Sequence, residues 1–290
     1  MTTPAESNVH AVAIRGTFDD CQALVKAMFN DHAFRDRVDL SGVNSINWAR
    51  IVAQVTYYFV AAVQFGAPDK SVSFAVPTGN FGDIFAGYVA KLMGLPIDKL
   101  IIASNENDIL PRTVETGRYE MRGVKATSSP SMDIQISSNF ERYLFEASGR
   151  DATMIRELMA SLAATGSFGL GPLLAPLQRD FLAVSADEQS VANEIRKTRA
   201  DDGYTLDPHT ACGVFAARKL AVSGETIVLA TAHPAKFPDA IEAITGERPT
   251  LPARLATLMT DAEHFDVLDN DLAAVEAYVE ACRTAREAAQ

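Results

Sequence analysis

Val72-Ser73-Phe74-Ala75-Val76-Pro77-Thr78-Gly79-Asn80-Phe81-Gly82-Asp83 is the stretch on which the reading of the fold turns. Its first six residues are mostly apolar and close on a proline, as a buried strand does. Two glycines punctuate the next six. From Ile84 to Met93 apolar residues recur at helical spacing, until Gly94 and Pro96 stop the helix in the usual order. Leu100-Ile101-Ile102-Ala103-Ser104 then reads as a second strand. Strand, helix and strand within about 30 residues form a βαβ unit, and such units build parallel sheets. The fold class expected is α/β with a parallel-sheet layer.

Working outward, His10 to Ile14 reads as a short strand and Ser45 to Val63 as an amphipathic helix. Phe140 to about Ala200 reads as helical and strand-poor, broken at Gly166-Ser167-Phe168-Gly169-Leu170-Gly171-Pro172. Gly166 is explained there as a helix stop. His209 to Ala221 reads as helix, Thr226 to Ala230 as strand, and Ala235 to Ile244 and Asp271 to Arg286 as helices. The expected division is an α/β part over 1–135, a helical insertion over 136–203, a return to the α/β layer over 204–250 and a helical tail over 251–290.

At 290 residues and 48% hydrophobic content the chain can bury a substantial core, and with 17 Gly and 13 Pro it is neither disordered nor collagen-like. The net charge of −11 argues against a nucleic-acid binder and against adsorption to anionic lipid. The longest apolar stretch, Ala49 to Phe65, is interrupted by Arg50, Gln54 and Gln64, so no membrane span is expected. Cys21, Cys212 and Cys282 lie far apart, which points to a reducing, cytoplasmic setting without disulfides. The five histidines show no metal-binding spacing, so no metal is expected.

The turn Gly79-Asn80-Phe81-Gly82-Asp83 sits between a strand and a helix. Glycines there let successive N–H groups face one point, and the helix amino end adds about half a positive charge. That pattern makes a nest for a dianionic phosphate, at the strand end where open α/β sheets bind ligands. The same residues also read as an ordinary tight strand-to-helix turn. Arg112 and Asn107 follow a strand end, which places them near the pocket; Arg112 there reaches an anionic ligand or lies on the surface. His233 follows another strand end, and His209 opens a helix that Asp207 or Thr210 caps.

Seven stretches resemble the threonine synthases, pyridoxal-phosphate enzymes of fold type II. They are Gly16-Thr17-Phe18-Asp19-Asp20-Cys21-Gln22, Asn44-Ser45-Ile46-Asn47-Trp48-Ala49-Arg50, Pro77 to Asp83, and Ala103-Ser104-Asn105-Glu106-Asn107-Asp108. Ser129-Pro130-Ser131-Met132-Asp133, Asp207-Pro208-His209-Thr210 and Thr231-Ala232-His233-Pro234-Ala235-Lys236-Phe237 complete the set, in the family's order. The resemblance is to the fungal and bacterial branch with the longer polypeptide. It implies that Gly79, Asn80, Phe81, Gly82 and Asp83 hold the phosphate of pyridoxal 5'-phosphate and that Thr231 faces the pyridine nitrogen. It further implies conversion of O-phospho-L-homoserine and water to L-threonine and phosphate.

One departure stands out. The family attaches its cofactor through a lysine in a GPTLAFKD-like segment and binds the substrate carboxylate with an SGDTG-like turn, and both runs are missing from these 290 residues. None of the eight lysines, Lys236 included, has the right context. The chain therefore reads as a C-terminal portion of a threonine synthase, incomplete relative to the family. No catalytic residue is assigned within it, and it is expected to be inactive unless an N-terminal complementing chain docks. The alternative is a non-catalytic paralogue that binds a phosphorylated ligand or regulates a partner.

Overall fold

A computed structural model of the chain describes residues 2–16 and 18–288. From the amino end, β1 (Val12–Arg15) leads to α1 (Phe18–Asn30), α2 (His32–Val38) and α3 (Trp48–Gln64). Then follow β2 (Val72–Pro77), α4 (Gly82–Leu92), β3 (Ile97–Ser104), α5 (Ile109–Thr116), β4 (Arg118–Glu120), α6 (Phe140–Ala147) and α7 (Ala152–Thr165). Next come β5 (Ser167–Gly169), α8 (Leu174–Asp180), β6 (Phe181–Ser185), α9 (Glu188–Asp202) and α10 (Pro208–Leu220). β7 (Glu225–Val228), α11 (Pro238–Thr245), β8 (Asp266–Asp269) and α12 (Leu272–Ala288) end the chain. These elements gather into two units, one made of residues 1–42 and 251–290 and the other of residues 43–250.

The unit 43–250 is built on a parallel sheet of order β6-β3-β2-β7. Every residue of β2 is buried, as expected for a strand covered on both faces. Its side chains alternate. Phe74 and Val76, with Leu100 and Ile102 of β3, pack into the core formed by α3 and α4. Ala75, with Ile101 and Ala103, packs against α10 and its neighbours. α10 lies close to this face: a Cβ on Gly213 would stand 2.7 Å from a Val228 methyl. No helix among the described residues is long and apolar enough to cross a membrane.

The expected βαβ unit is present, with β3 beginning three residues earlier than the periodicity indicates. The segment 136–203 carries the helices α6, α7, α8 and α9, and two strands besides. It contributes β6, which pairs with β3 from Leu100 opposite Phe181 to Ser104 opposite Ser185, and is therefore an edge strand of the main sheet. It also contributes β5, antiparallel to β4, where the Tyr119 and Phe168 rings stack with centroids 4.9 Å apart. Gly166 does terminate α7, at φ +72° with its N–H on the Leu162 carbonyl.

In the other unit β1 and β8 form a parallel pair, and Leu24, Met28, Phe34 and Val275 make its core. An Arg37–Glu280 ion pair joins its two sequence segments. The three cysteines are free.

Candidate active site

Because all four strands of the main sheet run the same way, their carboxyl ends share one rim. The chain leaves β2 toward α4, which packs in the core on one face, and leaves β7 toward α11, which packs in the core on the other. β2 and β7 are neighbours, so the crevice between their carboxyl ends is the switch point where open α/β sheets bind ligands. Gly79–Asp83 and Thr231 stand on its two sides.

The Gly79–Asp83 turn is held from behind. The Ser137 hydroxyl donates to the Gly79 carbonyl at 2.7 Å. The Asn139 N–H and side-chain amide donate to the Asn80 carbonyl at 3.0 and 3.1 Å. In a trans peptide the N–H opposes the C=O, so the amides of Asn80 and Phe81 face away from residues 137–139. Phe81 occupies the left-handed region at φ 63°, ψ 3°, and no side chain caps the helix it opens. Its buried ring is fixed among Phe140, Phe181 and Tyr143 at centroid distances of 5.2, 5.3 and 6.2 Å. Among the described residues, none accepts a hydrogen bond from the amides of Gly79, Asn80, Phe81, Gly82 or Asp83. Donors left open at a helix end are met by water or by an acceptor that a ligand brings.

Asp83 enters this turn through its backbone only. Its carboxylate points to α3, accepting from the Tyr57 hydroxyl at 2.8 Å and lying 3.0 Å from that of Tyr58. Burial raises its pKa above the ordinary carboxylate value, and the two tyrosine hydrogen bonds offset that only in part. No negative side chain of the turn is therefore aimed into the crevice.

Across the crevice, exposed Thr231 is placed by its N–H, which donates to the Thr210 hydroxyl at 3.4 Å. That hydroxyl donates in turn to Asp207, which caps α10 by accepting from the amides of His209 and Thr210. The buried His209 ring has its Nδ1 3.2 Å from Asp207 Oδ1, and its Nε2 accepts from the Ser131 N–H at 3.3 Å. These partners assign a neutral ring with the proton on Nδ1. The Ser131 carbonyl closes the circuit, because a Cβ on Gly79 would lie 2.7 Å from it.

The other sequence candidates are structural. Asn107 is buried, and its side chain binds the Lys125 backbone, Asn105 and Asp133 at 2.8 to 3.1 Å. Arg112, read as a surface or anion-binding residue, is neither: its side chain is 13% exposed and ties Asp108 to the Glu120 carbonyl. His233 caps a 3-10 turn by accepting from the Ala235 N–H, and Lys236 lies over the Phe237 ring. Burial pushes the Cys212 thiol up to about 12, so it is inert at neutral pH. No group of three potential metal ligands occurs among the described residues. Ser131, Ser137 and Asn139 were not singled out from sequence. Ser131 alone fell in a stretch, Ser129–Asp133, that the family pattern marked; Ser137 and Asn139 fell in none.

A dianionic phosphate fits the Gly79–Asp83 end by its open amides, the positive end of α4 and the diverted Asp83 carboxylate. The fold is that of the fold-type-II pyridoxal-phosphate enzymes. The pyridoxal-phosphate-bound threonine synthase of Brucella melitensis superposes with a TM-score of 0.91 at 59% identity, over 97% of this chain and 61% of that one. The threonine synthase of Pseudomonas aeruginosa is 50% identical over 285 residues, covering 96% of this chain and 60% of its own length. That of Saccharomyces cerevisiae is 44% identical, covering 90% and 56%. A family model described as "Threonine synthase, C-terminal" matches residues 210–279. The chain belongs to the threonine synthase family, and it spans about 60% of the length of the relatives it matches.

Proposed function

We propose that this chain supplies the cofactor-phosphate cradle and the ring-nitrogen partner of a threonine synthase that converts O-phospho-L-homoserine and water to L-threonine and phosphate. The observation that carries this reading is the uncapped amino end of α4, with its run of open amides, at the switch point between β2 and β7. The amides of Gly79 to Asp83 hold the cofactor's phosphate. The Thr231 hydroxyl faces the pyridine nitrogen, and a neutral partner leaves that nitrogen largely unprotonated. Pyridoxal phosphate, when bound, supplies the electron sink that lets protons leave Cα and Cβ of the substrate.

None of the eight lysines of this chain takes the role of the family's cofactor-attaching lysine. That residue serves as both covalent anchor and proton carrier near Cα. The 290 residues by themselves therefore release no phosphate from phosphohomoserine. Mixing them with the N-terminal two-fifths of the Pseudomonas aeruginosa relative restores release. Turnover by the chain alone overturns the inactivity. A second reading, reversible binding of a phosphorylated ligand without chemistry, draws on a cradle that lies wholly within residues 43–250. It gains the ground if pyridoxal phosphate binds saturably, inorganic phosphate displaces it, and complementation yields no turnover.

A further inference from the structure

We propose that Asp207 is a positioning residue that sets both ends of the cofactor site through two separate relays. The proposal rests on the reading of Gly79–Asp83 as phosphate cradle and Thr231 as ring partner. Asp207 is 2% exposed, and among the described residues no lysine or arginine pairs with it. Four donors surround its carboxylate instead: the amides of His209 and Thr210, the Thr210 hydroxyl and the His209 Nδ1–H. The two amides alone would make an ordinary helix cap. The side-chain bonds go further, because each leads to a different wall of the crevice.

From Oδ1 the path runs through the His209 ring to the Ser131 N–H. Ser131 lies in the 3-10 turn Pro130–Met132, and its carbonyl oxygen lies 2.7 Å from where a Cβ on Gly79 would be. Fixing His209 thus fixes the backbone against which the phosphate turn closes. From Oδ2 the path runs through the Thr210 hydroxyl to the Thr231 N–H. That bond sets the direction in which Thr231 leaves the end of β7, and so where its hydroxyl meets the ring. The Phe237 ring packs beside the imidazole, its centroid 4.9 Å from that of His209. Burial opposes ionisation of Asp207, but the bonds from His209 and Thr210 outweigh it and hold the carboxyl below its ordinary value. The anchor of both relays therefore stays charged throughout the neutral range.

The two relays give separable signatures. The full chain is titrated with pyridoxal 5'-phosphate, with inorganic phosphate as competitor, while binding and the absorption maximum of the bound ring are followed together. His209→Phe removes the acceptor for Ser131 and weakens binding about tenfold, the worth of one hydrogen bond at the strong end of its range, with the absorption maximum unmoved. His209→Gln, which can still accept from that N–H, recovers most of the loss. Thr210→Val moves the absorption maximum and leaves phosphate competition close to that of the parent chain. Asp207→Asn does both. If Asp207→Asn does not fold, the His209 and Thr210 variants decide alone. His209 or Thr210 variants that each change both signatures together, or that change neither, overturn the proposal while parent-chain binding upholds the cradle. A parent chain that binds neither probe overturns the cradle and this proposal together.

Discussion

Gly79 is a glycine because of what lies beside it and not because of its own backbone angles. A methyl group there would meet the Ser131 carbonyl at 2.7 Å, and that atom belongs to backbone fastened by His209. Gly79→Ala is expected to cost about 1–3 kcal/mol, as overpacking does, and to weaken pyridoxal-phosphate binding. Gly123→Ala is the control, since nothing lies within 4 Å of it. Thermal melts of the two variants should part accordingly. Asp83 makes a prediction of opposite character. Its folded-state pKa is raised, so the folded protein prefers the protonated form and loses stability as pH rises through that value. Asp83→Asn keeps an acceptor for Tyr57 and Tyr58 without the buried charge. It should be more stable than the parent at pH 7–8 and converge with it toward about pH 4, read by urea unfolding across that range. Equal stabilities throughout would mean that the carboxylate is not desolvated.

Among the elements, α3 and α4 pack closely enough to need a glycine between them. A Cβ on Gly87 would lie 2.6 Å from the Tyr58 ring and 2.9 Å from Leu100. Helix propensity favours alanine there by about 1 kcal/mol. The clash wins, because Tyr58 is fully buried and its hydroxyl is bonded at Asp83, so the ring has nowhere to move. Gly87→Ala should therefore lower the melting temperature despite its better propensity. The β2–α4–β3 unit was legible in the sequence because its elements are long, differ in period and are separated by Gly79, Gly82, Gly94 and Pro96. β6 was not legible: Phe181–Ser185 is five residues long, follows α8 directly and has no Gly or Pro at either end. β4 and β5, at three residues each, are too short to show a period. The site divides in the same way. Its turn announces itself locally, whereas Ser137, Asn139 and Ser131 reach it only through closure over some 50 residues of chain. Asp207 was readable as a helix cap, but its side-chain bonds through His209 and Thr210 were not.

At the scale of the molecule, the two units differ in how their strands are protected. β2 and β3 sit inside a four-stranded sheet covered on both faces, whereas β1 and β8 form a sheet of two. Two-stranded sheets are marginal without further packing. Hydrogen exchange should therefore be slowest for the amides of Leu100 to Ala103 and much faster for those of β1 and β8. Comparable rates in both would show that the chain opens as one cooperative body. The common direction of the main strands has a last practical consequence. Every loop that serves the crevice leaves from one rim, so the links around Gly94 and Gly224, which enter β3 and β7, lie on the opposite rim. Nothing stands within 4 Å of where a side chain would begin at either glycine. Both glycines hold a positive φ that a side chain would strain, so exposed Met93 and Ser223 beside them are the places to graft a fluorophore or an immobilising tether, as handles that leave the working end of the sheet untouched.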